Sequence, residues 1–330
     1  MKKSILLIGI ALMASASCTQ DKVMETRQGK PIDFRAAIET KGVELTTEGL
    51  TSFRATAIDG NDDLYFQYLD FTKNGDIFTS TPEYYWPASG ELTFYAYSPA
   101  EKAKNVSITP DAQTLDFTPE AAIADQIDFV AIKTTGSNTA EGMELEFQHS
   151  LTQIQIDAKN TNTGYTYSVT GVKFVNIASA GTFNFEEWDV TDAALTTYSS
   201  TYNDTPIVLD TDAESIMGPE GNAILIPQQL VAWDNTVGPA SAEGQTGSYL
   251  AVCINVKTSS GVQIYPKEGE YDWVAVSLDT KWLPGYKYIY ILDFTTGAGT
   301  DEDTNESILG KDIKFELNYV QGWSNSNYGL

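Results

Sequence analysis

"EYYWPASGELTFYAYSP", residues 83–99, places six aromatic rings in seventeen positions and carries no charge after Glu91. From Leu92 onward the residues alternate, with Leu92, Phe94 and Ala96 on one side and Thr93, Tyr95 and Tyr97 on the other. A period of two is that of a β-strand, whose successive side chains point to opposite faces. Pro87 and Gly90 punctuate a turn ahead of it, and Trp86 plugs the mouth of that turn. The pattern predicts a sandwich strand with an inward apolar face and a tyrosine face. Those tyrosines would pack toward a second sheet or a neighbouring domain, with their hydroxyls reaching water or backbone, rather than form a ligand platform. A weaker echo follows in "WLPGYKYIYILDF", residues 282–294, where Tyr286, Tyr288 and Tyr290 alternate with Lys287, Ile289 and Ile291.

The same period runs outward through the chain. "PIDFRAAIET", residues 31–40, sets Ile32, Phe34, Ala36 and Ile38 on one face. Similar runs include "SFRATAI", "DLYFQYLDF", "QIDFVAI", "YSVTGVKFVNI", "YLAVCINVK" and "IKFELNYV", the last with Ile313, Phe315, Leu317 and Tyr319 inward. Gly, Asn, Asp and Pro clusters separate them, and no amphipathic helix interrupts. The expected class is therefore all-β: two tandem β-sandwich domains of about seven strands each. The polar stretch Thr134–Met143 marks the division, giving residues 31–142 and 143–330. In "ELEFQHSLTQIQIDA" Leu145, Phe147, His149 and Leu151 share a face, whereas Ile154 and Ile156 fall out of step. That change of phase predicts a bulge near Gln153.

The first residues read as targeting. Lys2 and Lys3 precede an apolar run from Ile5 to Ala14, too short to span a bilayer, and small residues lead to Cys18. Residues 1–17 are the expected signal peptide. The small residues before Cys18 resemble a bacterial lipoprotein processing site, which makes Cys18 the expected lipidation site. Ser15 departs from the bulky aliphatic usual in that motif, and the alternative is an ordinary secretory cleavage that leaves Cys18 incidental. Residues 18–30 form the tether. With Cys18 lipidated, Cys253 alone remains and no intramolecular disulfide can form; its apolar strand neighbours suit a small buried hydrophobe. A formal charge of −25 argues against nucleic acid or an anionic membrane surface as partner.

Catalytic parts are missing. His149 is the only histidine and lies among apolar face-mates, as a core residue would. A zinc site or a histidine-activated nucleophile lacks its components, so no enzyme and no cofactor are expected. Carboxylates abound, but none stand out as a glycosidase pair. "DEDTNESILGKD" places Asp301, Asp303, Asn305, Ser307 and Asp312 at calcium-loop spacing, yet Glu306 occupies the position that requires glycine. A solvated acidic loop is the better reading. Trp188 and Trp233 lie outside the strongest strand patterns and are the candidate rings for a second reading, a surface glycan-binding lipoprotein.

Taken in order, the lipoprotein signal, "IDFRAAIETKG", "YYWPASGELTFYAYSP", "DFVAIK", "LEFQHSLTQIQI" and "WLPGYKYIYILDF" resemble the fimbrillin-like family, the Mfa-like and type V pilin proteins of Bacteroidales. The resemblance implies two transthyretin-like β-sandwiches in a surface-exposed outer-membrane lipoprotein. Such a protein serves as a fimbrial subunit or adhesin whose partners are other subunits and a surface receptor or glycan. It also implies that a protease removes the first strand and a strand from another subunit refills the groove. Ile32, Phe34, Ala36 and Ile38 are spaced to fill such a groove, and Arg35, Lys41 and Arg54 are the basic residues near the expected cut. The short polar ending "QGWSNSNYGL" is a poor strand donor, which favours a tip or minor subunit.

Overall fold

The computed structural model describes residues 29–38, 48–138, 143–234, 238, 246–310 and 312–321. The first half forms β1 (Phe34–Ile38), β2 (Ser52–Asp59), β3 (Leu64–Asn74), β4 (Ile77–Ser80), β5 (Leu92–Ser98), β6 (Lys104–Ile108), β7 (Gln113–Phe117), β8 (Val130–Gly136) and β9 (Met143–His149). Seven of these, in the order β1-β4-β3-β2-β5-β8-β9, close into a barrel where β9 meets β1. Its core is aromatic, with Phe34, Phe53, Phe71, Phe78, Phe94 and Phe147 all buried. Burying each such ring stabilises the fold by roughly 1.5–3 kcal/mol before entropy is counted.

The second half continues with β10 (Thr152–Lys159), β11 (Tyr165–Ala178), β12 (Gly181–Phe183), β13 (Trp188–Asp189), β14 (Leu195–Thr201), β15 (Ile207–Val208) and β16 (Glu214–Ser215). After these come β17 (Ala223–Leu225), β18 (Tyr249–Thr258), β19 (Gln263–Tyr265), β20 (Asp272–Ser277), β21 (Tyr286–Asp293), β22 (Thr300–Asp301) and β23 (Lys314–Gln321). One sheet runs β16-β10-β21-β23 and another β14-β11-β18-β20-β22, with β17, β15 and β19 alongside. Between them lies a core in which Ile154, Ile156, Val172, Val252, Ile254 and Val274 are fully buried. The chain is all-β, as its alternation predicts.

A fourth sheet joins the halves. β6 and β7 pair with each other, and β7 pairs with β12, which pairs in turn with β13. Beneath it Tyr95, Tyr97, Phe117, Phe129, Phe183 and Phe185 form a bridging cluster. Tyr95 and Tyr97 thus pack toward a neighbouring unit, while Leu92, Phe94 and Ala96 on the opposite face fill the barrel. Both faces of the opening strand are interior.

The sheets do not follow the expected division at 142/143. β9 is the main partner of β1, so the first unit extends through His149 and the chain crosses at Ser150–Leu151. That crossing, and not a bulge near Gln153, produces the change of phase. Leu145 and Phe147 enter the barrel, Leu151 the bridging cluster, and Ile154 and Ile156 the sandwich. The echo strand β21 is also reversed, since Tyr288 and Tyr290 point inward while Ile289 and Ile291 are half-exposed. The tyrosines can be buried because their hydroxyls are met. Trp282 Nε1 donates to Tyr290 Oη at 3.0 Å, and Tyr288 Oη donates to the Lys281 carbonyl at 2.9 Å. β23 is an edge strand; of the residues expected to face inward here, Ile313, just before the strand, is buried, but Phe315 within it stays 37% exposed.

Candidate functional site

The first strand is the closing piece of the barrel. Its residues 34–38 pair in parallel with residues 143–147 of β9, whereas β4 contributes only the Phe34–Phe78 pair. Upstream, the Ile32 N–H donates to the Tyr84 carbonyl at 2.7 Å and the Trp86 N–H to the Lys30 carbonyl at 3.0 Å. The "EYYW" segment therefore clasps the incoming chain, a role its sequence did not signal because the contact is made by backbone. Ile32, Phe34 and Ile38 are buried and Ala36 is half-buried, with Arg35 turned to solvent. The Phe34 ring lies 5.0 Å from Phe71, 5.1 Å from Phe94 and 5.9 Å from Phe53, each edge-on. Lifting β1 out would leave an aromatic slot flanked by two unpaired strand edges. Such a slot accepts another strand through main-chain hydrogen bonds and alternate side chains.

The three basic residues near the expected cut have different settings. Arg35 is within β1, on its exposed face. Arg54 is in the wall, since β2 pairs with β3 on one side and β5 on the other. Its guanidinium grips Asp70 in bidentate fashion, at 2.7 and 2.9 Å. A protease would have to peel β2 from both neighbours to reach the bond after Arg54. Lys41 and Cys18 lie outside the described residues.

Other candidates are occupied structurally. Trp188 is half-buried, stacked on Phe183 at 4.8 Å, and its Nε1 donates to the Ser150 carbonyl at 2.6 Å. Trp233 is buried against Tyr249. Neither is the exposed platform that sugar stacking requires. His149 Nδ1 lies 2.7 Å from Asp128 Oδ2, with both side chains sealed from solvent beside the crossing between units. Cys253 is half-buried, and burial pushes its thiol pKa up, away from the reactive thiolate.

In the acidic loop, Asp301 Oδ1 accepts the Thr304 N–H and hydroxyl, each at 2.7 Å, and Tyr265 Oη donates to Oδ2 at 2.8 Å. Glu306 pairs with Lys267 at 2.8 Å. Among the described residues no group of three or more His, Cys, Asp or Glu is placed to hold a metal ion. Burial acts to raise the Asp301 carboxyl, but these donors outweigh it and hold the pKa below its ordinary 3.8. Stabilisation by this group is therefore complete above that ordinary value and is lost as pH falls through the lowered native one. The Thr304 amide should keep a high hydrogen-exchange protection factor at about pH 5 and lose it in stronger acid, whereas Asp301→Ala should lack it at both.

Comparison with known proteins fits this architecture. The family model for fimbrillin-like proteins matches residues 39–310. A fimbrial protein of Bacteroides vulgatus superposes with a TM-score of 0.61 at 17% identity, covering 88% of this chain and 99% of its own. A candidate cell-adhesion protein of Parabacteroides distasonis superposes with a TM-score of 0.53 at 10% identity, covering 90% of this chain and 98% of its own. No curated protein matches. At these identities the likeness is one of fold.

Proposed function

The chain belongs to the fimbrillin-like family, and from that premise we propose that it is a surface-exposed fimbrial subunit or adhesin assembled by strand exchange at the β1 position. The observation that carries this reading is the seating of β1: one short strand closes the barrel and fills its aromatic centre. In the proposed cycle, Cys18 is lipidated and anchors the precursor to the outer membrane. A protease then cuts between Arg35 and Arg54, and a strand from another subunit occupies the vacated slot. The interval after Ile38 suits the cut better than Arg54, whose peptide is locked in the barrel wall. Intact mass and N-terminal sequencing of protein released from the cell surface test the cycle. The mature chain should begin after Arg35 and before Ala55; a start at Cys18 would contradict processing.

The glycan-binding alternative loses the two rings on which it rested, because Trp188 packs on the bridging cluster and Trp233 is buried in a separate small cluster with Tyr249, Ala251 and Ala275. The sole histidine, sealed from solvent against Asp128, is not a candidate catalytic base.

A further inference from the structure

The bridging sheet carries on its outer face a row of polar side chains that neither barrel nor sandwich needs. Register aligns Lys104 of β6 with Asp116 of β7, Asp116 with Thr182 of β12, and Thr182 with Asp189 of β13. Residues directly opposite on paired strands share a face, so the four form one transverse line. Leu115 and Phe117, on either side of Asp116, face the buried cluster beneath. The turn Val190–Ala193 borders the row and leaves a cavity of about 440 Å³. That volume is within the range of small-ligand sites, which favour junctions between units.

The row is held in place by its own hydrogen bonds. Thr182 Oγ1 donates to Asp116 Oδ1 at 2.6 Å, and Asn105 Nδ2 donates to Oδ2 at 2.7 Å. Asn105 adopts a left-handed φ of 44° where the β6–β7 register slips between Lys104 and Ser107. Asp189 Oδ1 takes both the N–H and hydroxyl of Thr191, at 2.9 and 2.7 Å. The hydrogen bonds to Thr191 use Asp189 Oδ1, which leaves Oδ2 and the Asp192 carboxylate, both exposed at the cavity, to meet a ligand.

Three carboxylates against one ammonium make the lining richer in acceptors than donors. A fitting ligand brings hydroxyl or ammonium donors and no negative charge, a condition reinforced by the net −25 of the chain. Among the described residues no aromatic ring lines the cavity, so recognition would proceed through hydrogen bonds and not by stacking. We propose that this cavity is a saccharide-binding site selective for neutral or amino-bearing sugars. As the ligand class of an adhesin, the proposal rests on the functional reading above; as a binding site, it rests on the row itself.

The test is a multivalent glycan array probed with the purified full chain, carrying neutral, amino-bearing, sialylated and uronic-acid sugars. Neutral or amino-bearing glycans should be retained and acidic ones not. Asp189→Asn with Asp192→Asn should weaken retention by about tenfold or more, and Asp192→Arg should abolish it. Both positions are exposed, so near-UV circular dichroism should stay unchanged and report that the fold survives. Retention of acidic sugars alone, no retention of any neutral or amino-bearing sugar, or retention unaffected by the substitutions would overturn the site. Adhesion of cells displaying the protein separates the two readings. Adhesion that persists in the variants keeps the adhesin and rejects the cavity, whereas array binding without cell adhesion does the reverse.

Discussion

Phe34→Ala is expected to cost the barrel about 3–5 kcal/mol, read as a lowered urea midpoint, because it empties a fully buried ring site. Surrounding rings cannot close over the gap. Phe53, Phe71 and Phe94 each meet Phe34 edge-on and belong to strands fixed by their own ladders. The position of the loss matters as much as its size, since β1 has five paired residues with β9 and one with β4. Weakening this strand opens the barrel along its seam. Arg35→Ala, on the exposed face of the same strand, should stay within about 0.5 kcal/mol. A chain cut after Ile38 and stripped of its first strand should regain its native urea midpoint when given a peptide of residues 29–38. The same peptide carrying Phe34→Ala should fail. Recovery by both peptides alike would show that backbone pairing, and not the aromatic slot, selects the incoming strand.

What could be read in advance depended on whether the cause was local. The alternation of Ile32, Phe34 and Ile38 is a property of ten adjacent residues, and their common burial follows from it. Tyr95 and Tyr97 could be placed against a neighbouring unit because their strand is too apolar to have a wet face. In β21, by contrast, both faces were plausible interiors. Tyrosine wins there because the 281–283 turn offers partners to its hydroxyls, a geometry that periodicity does not contain. The membership of β9 was hidden for a related reason. Its partner β1 lies more than a hundred residues upstream, while the polar stretch before it resembles a linker. The Lys104–Asp116–Thr182–Asp189 row was equally hidden, since it exists only once β7 and β12 pair across the two halves.

That pairing carries the second large effect. Units joined by a polar linker alone would melt separately, but here Phe129, the residue leading into β8, packs 5.0 Å from Phe117 and 6.4 Å from Trp188 and ties that strand's start to the bridging sheet. The cluster takes Tyr95, Tyr97 and Ala131 from the barrel strands and Phe183, Ile224 and Ile226 from the second half. Neither unit can shed this surface without exposing the other, so calorimetry of the intact chain should show one cooperative transition. Phe129→Ala should lower stability by about 3–5 kcal/mol and split that transition in two, because it removes the ring shared by both sides. Two separate transitions already present in the unaltered protein would mean that the cluster is a contact and not a coupling. The consequence extends to the cavity above it, whose row is assembled from both halves. If the units part, the line of Lys104, Asp116, Thr182 and Asp189 is broken at β7–β12, and saccharide retention should fall together with the cooperativity.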